Sequence, residues 1–127
     1  MLVAVETRVR KRGLEMKIVT AKEFLQMPAN TLYSKYSPCC MGALEIKGDN
    51  VGEIDYYSQQ IVDAIDCSSS SEFIDGLLDA QENGTALKMD FNCEGRDGLF
   101  DMGQLYAVWD NDDVKGLIAR LTFCVSV

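Results

Sequence analysis

Apolar residues recur at two different spacings along this chain, and the switch between them confines it to a fold that mixes sheet with helix. Leu87, Met89 and Phe91 alternate with Lys88, Asp90 and Asn92, the two-residue period of a strand with one wet face. Leu44 and Ile46 alternate with Glu45 and Lys47 in the same way. Phe73, Ile74, Leu77 and Leu78, and later Val114, Leu117, Ile118 and Leu121, instead return every three or four residues, as one side of a helix does.

Helix starts are the sharpest local signals. In Thr20-Ala-Lys-Glu23 the Thr hydroxyl and the Glu carboxylate can each satisfy a free backbone amide, and Val19 and Phe24 stand where a hydrophobic staple would join them. Pro28 should end that helix near Met27. Ser69-Ser-Ser-Glu72 is a second capping box, and Asn83-Gly84 supplies its left-handed stop. A third helix is expected to begin after Asn111, with Asp112 and Asp113 where the helix dipole favours anions, and to close the domain.

Residues 105–109 are apolar on both faces and belong in the middle of a sheet, and residues 32–36 read as a strand before the turn at Pro38. Residues 54–66 fit either a helix stripe (Ile54, Tyr57, Ile61, Ile65) or a strand, and the pattern does not choose. Short strands joined by Gly-Asp-Asn and Arg-Asp-Gly turns argue an α+β fold: a small antiparallel sheet of four or five strands packed against about three helices. With 127 residues, 47% hydrophobic, the chain fits a single domain over 16–127. Residues 1–15, with Arg8, Arg10, Lys11 and Arg12 against Glu6 and Glu15, read as a basic, poorly ordered extension.

Twenty acidic residues oppose twelve basic ones, a net charge of −8, and there is no histidine. The acid excess repels phosphate backbones, so direct nucleic-acid binding is not expected. The missing imidazole removes the commonest general base near neutral pH and the usual partner of a cysteine nucleophile. Five scattered cysteines, with adjacent Cys39 and Cys40 poorly placed to pair, argue against a disulfide framework and for reduced thiols in a cytoplasm. No apolar run reaches the roughly 20 residues that span a bilayer, and the cations of 1–15 follow the apolar run instead of preceding it, so neither membrane insertion nor a secretion signal is expected.

The most chemistry-like stretch is residues 90–101. Asp90, Asn92, Glu94 and Asp101 fall at positions 1, 3, 5 and 12 of a calcium loop, with Gly95 at position 6. The fit breaks at position 8, where Asp97 replaces an apolar residue, at position 12, where Asp replaces a bidentate Glu, and in its strand-like flanks. A polar hairpin whose Gly and Asp residues serve turns is the simpler reading. Glu94, Asp97 and Asp101, or Asp110, Asp112 and Asp113, could in principle hold magnesium for phosphoryl chemistry, but such sites couple their carboxylates to nearby Lys, Arg or His, and a solvated acidic face is the simpler reading.

The words Thr31-Leu-Tyr-Ser-Lys-Tyr-Ser-Pro38, Ala43-Leu-Glu-Ile-Lys-Gly48, Arg96-Asp-Gly-Leu-Phe-Asp101 and Gln104-Leu-Tyr-Ala-Val-Trp109 resemble small uncharacterised accessory proteins of tailed phages and prophages. The resemblance covers the chain from residue 16 onward. It implies a bacterial host cytoplasm, where compact acidic proteins act by occupying a host protein.

The expectation is therefore a non-catalytic, acidic interaction domain that binds a basic surface on a host nucleic-acid-handling or defence protein and modulates or inhibits it. Asp97, Asp101, Asp110, Asp112, Asp113 and Tyr106 are its expected interaction residues, and no cofactor is expected. The alternative is a calcium- or metal-responsive regulator using Asp90, Asn92, Glu94 and Asp101, and a homo-oligomer would be the signature of a purely structural subunit.

Overall fold

Thr20 fixes the first corner of the fold. Its hydroxyl accepts from the Glu23 amide at 3.2 Å while the Glu23 carboxylate accepts from the Thr20 amide at 3.0 Å, so strand β1 (Lys17–Thr20) turns directly into helix α1 (Ala21–Leu25). The computed structural model describes residues 16–97 and 101–125, so the expected basic extension over 1–15 lies outside the described residues. After α1 come β2 (Leu32–Ser37), β3 (Cys40–Met41), β4 (Glu45–Val51) and β5 (Asp55–Gln60). Helix α2 (Ser70–Asn83), β6 (Gly95–Arg96), β7 (Leu105–Trp109) and helix α3 (Asn111–Thr122) complete the order.

The class is α+β. The strands form one antiparallel sheet in the order β1-β7-β2-β4-β5-β6, with β3 also paired to β2. It has seven strands where four or five were expected, because the two-residue strands β3 and β6 leave no periodic trace in the sequence. Strand β7 lies inside the sheet between β1 and β2, as its two-sided apolar composition requires, but next to the edge strand β1 and not at the centre where it was expected. Residues 55–60 of the ambiguous segment are strand. Leu87, Met89 and Phe91 do not form the expected strand: only Met89 pairs, in a single bridge to Ile65, and the Leu87 side chain turns toward Gly76 of α2.

Alternation puts Val19, Tyr33, Tyr56, Tyr106 and Val108 on one face of the sheet, where Ala21 and Phe24 of α1 cover them. The Phe24 ring stacks on Tyr106 at 4.0 Å between centroids and meets Tyr33 and Tyr56 at steeper angles. Val19 and Phe24 both sit in this cluster, which is the expected staple.

The three expected helices are present, and they contribute unequally to the core. Helix α1 supplies the buried helical residues; α2 and α3 bury none. Helix α3 is the last element; Val114 and Leu117 are half-buried, and its apolar stripe runs out into solvent at Ile118 and Leu121. Asp110 is its N-cap, in a capping box with Asp113, so the helix starts at Asn111 and not after it.

Candidate functional site

The groups most altered by their surroundings lie in the core and answer one another. Tyr33 donates to Glu45 at 2.9 Å, and Tyr56 donates to the Tyr106 oxygen at 3.4 Å. Burial pushes all three phenols above their ordinary range, and the Glu45 charge adds to the effect at Tyr33. Lys47 is 1% exposed, and its ammonium donates to Asn50 Oδ1 at 2.7 Å and to the Gly48 carbonyl at 3.2 Å. Desolvation holds its pKa below the usual lysine value, against the opposing pull of Asp49. These groups are enclosed and satisfied, so they build the fold and present nothing to a substrate.

The expected interaction residues do not form one acidic face. Tyr106 is corrected outright: it is 5% exposed and part of the aromatic core, because its place on β7 turns it toward α1. Asp97 is largely covered and pairs with Lys35 at 2.7 Å. Asp110 and Asp113 spend their carboxylates on the amides at the start of α3. Asp101 accepts from the Gly103 amide at 2.8 Å, and Asp112 is exposed in the first turn of α3.

The oxygen ligands of the 90–101 loop also diverge. Asp90 accepts from the Asn92 amide at 3.0 Å, the Glu94 carboxylate packs over Gly48 of β4, and Asp101 turns to Gly103. Among the described residues no group of three or more Cys, Asp or Glu comes together in a way that could hold a metal ion; residues 98–100 of the loop lie outside them.

Two surfaces among the described residues combine exposed or groove-lining apolar side chains with charge. The first is α2. Ser69 caps it by accepting from the Glu72 amide at 3.1 Å, while the Glu72 carboxylate reaches the Ser68 amide at 2.8 Å, one residue earlier than a capping box would have it. Gly84, at φ 72°, ends it in the left-handed conformation that glycine adopts without strain. Ile74, Leu77 and Leu78 share one side at i, i+3 and i+4, and all three are exposed. Glu72, Asp75, Asp79 and Glu82 follow at spacings of three, four and three and make an acidic stripe beside it, with no Lys or Arg anywhere in the helix. Phe73, Gly76 and Ala80 form the half-buried side that holds α2 to the rest of the chain.

The second surface is a groove of about 1130 Å³ between the α1–β2 loop and the start of α3. Met27, Pro28, Val108, Trp109 and Val114 give it apolar walls, and Lys17, Lys115, Asp110 and Asp112 give it a rim of both signs. Asn30 shapes its wall: at φ 72° it takes the left-handed turn that Asn tolerates, and its amide donates to the Lys47 carbonyl at 2.7 Å, tying the loop to β4. Asp110 and Asp112 are thus the two expected interaction residues that line a concave surface. The acids of α2 were missed, although their spacing beside an apolar stripe was legible.

Among the described residues, no helix is long and apolar enough to cross a membrane. Comparisons of the chain with protein-family models, with curated proteins and with solved structures found no match.

Proposed function

We propose that this protein is a non-catalytic interaction domain of phage type that acts by occupying a basic, apolar-studded surface on a host protein, one that handles nucleic acid or serves in defence. The observation that carries this reading is helix α2, whose exposed Ile74, Leu77 and Leu78 run beside four carboxylates and no cation. Apolar side chains at that spacing are the anchors of helix-mediated recognition, and the acids select a partner of opposite sign. Two copies of α2 would set like charges against each other, so the covering surface is a different molecule. The phage and host context rests on the resemblance of the segments within residues 31–48 and 96–109.

The surface differs from the one the sequence suggested. Anchors and acids lie together on α2, whereas Asp97, Asp110 and Asp113 are engaged within the fold. The test is affinity capture from a bacterial lysate with three baits: wild type, Leu77→Asp, and Asp75→Lys/Asp79→Lys. A partner retained by wild type at low salt and lost by both variants and at high salt supports the reading. A set of retained proteins that is the same for all three baits overturns it.

A further inference from the structure

Cys39, Cys40 and Met41 place sulfur atoms at three successive positions of one hairpin. Both thiols are exposed, and Met41 is 52% exposed. The hairpin joins β2 to β3, with Met41 paired to Tyr36 and Cys40 to Ser37. The Gly42 amide donates to the Lys35 carbonyl at 2.8 Å, and the Gln104 side chain donates to the Tyr36 carbonyl at 3.0 Å. The backbone that carries the sulfurs is therefore held on both of its strands. Direct pairing puts Met41 on the same side of the hairpin as Tyr36. The Tyr36 hydroxyl donates to the Cys39 sulfur and lies within electrostatic reach of Cys40. All three sulfurs thus neighbour one phenol.

These thiols suit a shared ligand better than a bond to each other. Neighbouring Cα atoms across a trans peptide stand about 3.8 Å apart, inside the roughly 4.4–6.8 Å that a disulfide ordinarily spans. An ion held between two sulfurs keeps them much farther apart than an S–S bond of about 2.05 Å, which relieves that constraint. The kind of ion follows from the donors. Among the described residues no third Cys, Asp or Glu joins the pair, so zinc lacks its tetrahedral set and calcium or magnesium its oxygens. Cuprous ion is content with few ligands, and thiolate with thioether is the soft donor set that selects it.

We infer that Cys39, Cys40 and Met41 form a binding site for Cu(I), with the two thiolates as principal ligands and the Met41 thioether as the third. Binding releases the thiol protons to solvent and changes no oxidation state. The hairpin shares no residue with α2, so this site and the recognition surface proposed above stand or fall separately.

Anaerobic competition of the full chain against bathocuproine disulfonate, a coloured cuprous chelator, tests it. Wild type is expected to withdraw a single Cu(I) per chain from the chelator and to keep it when Zn(II) is added. The affinity is expected to fall at least about tenfold in Cys39→Ser/Cys40→Ser and at least about threefold in Met41→Leu. Cys93→Ser/Cys124→Ser, at two other exposed thiols, is expected to bind as wild type does. Far-ultraviolet circular dichroism is expected to be the same for all four proteins, and if Cys39→Ser/Cys40→Ser does not fold, Cys40→Ser alone takes its place. Copper left with the chelator by wild type, Zn(II) displacing it, wild-type affinity in the Cys39/Cys40 or Met41 variants, or loss of binding in Cys93→Ser/Cys124→Ser overturns the inference.

Discussion

Lys47 and Asn50 are joined across a bulge in β4: Lys47 pairs with Ser58 and Asn50 with Tyr56, so two residues of β4 oppose the single Tyr57 of β5. The bulge returns Asn50 to the side of the sheet where Lys47 is buried. There its carbonyl oxygen accepts from the ammonium at 2.7 Å and its amide nitrogen donates to the Leu25 carbonyl, also at 2.7 Å. One side chain thus satisfies a buried cation and the end of α1. The Phe24 ring completes the surroundings of the ammonium, at 5.8 Å.

Removing Asn50 should therefore cost more than a surface change. Asn50→Ala is expected to destabilise by about 1–3 kcal/mol, because it takes the shorter of two acceptors from the ammonium, leaving the Gly48 carbonyl, and removes the donor to the Leu25 carbonyl. Lys47→Met, which removes the charge and keeps the volume, is expected to be neutral or stabilising. Urea denaturation of the two variants checks the contrast.

The three core tyrosines make the fold sensitive to alkali. Each phenol has a folded pKa above its unfolded value of 10.0, so above that pH the unfolded chain sheds protons that the folded chain keeps. Stability is expected to be intact below pH 10 and to fall as pH rises through it. Lys47 acts the other way, since its lowered pKa makes charge burial a cost that fades as pH rises toward its unfolded value of 10.5, beyond which it adds no further slope. Thermal melts at stepped alkaline pH, with phenolate absorbance followed in parallel, are expected to show cooperative ionisation coinciding with unfolding.

Asp110 and Asp113 hold the start of α3 and are occupied in doing so. Asp110→Ala is expected to cost about 1 kcal/mol, while Asp110→Asn keeps most of it, because the cap needs an oxygen and not a charge. Denaturant midpoints for the two variants separate a capping role from an electrostatic one.

What the sequence revealed depended on how far apart the interacting residues lie. The Thr20–Glu23 box, the Ser69 cap and the Gly84 stop involve partners within a few positions, and each was legible. The antiparallel class followed from short alternating segments, and the interior place of β7 from its two-sided apolarity. The two-residue strands β3 and β6 carry no period, and the Lys47–Asn50 bulge looks like ordinary polar sequence. Tyr106 was read as an anchor because an amphipathic ring suits an interface as well as a core, and only the register of β7 against β1 and β2 decides between them. Asp97 looked free because Lys35, its partner, is 62 positions away in the chain.

Surface charge on α2 should matter for recognition and hardly for folding. Asp75→Lys/Asp79→Lys is expected to change stability by no more than about 0.5 kcal/mol for each site, since neither position is buried, while abolishing salt-sensitive capture. Parallel melts and capture assays separate the two effects.

Recognition through α2 is tested most directly by titrating the captured host protein against the wild-type chain and against Leu77→Asp at one ionic strength. An affinity at least about tenfold weaker for Leu77→Asp, with its melting temperature unchanged, is the outcome expected of an anchor in a covered helix face. Equal affinities for the two proteins would mean that the partner binds elsewhere and that α2 is not the recognition surface.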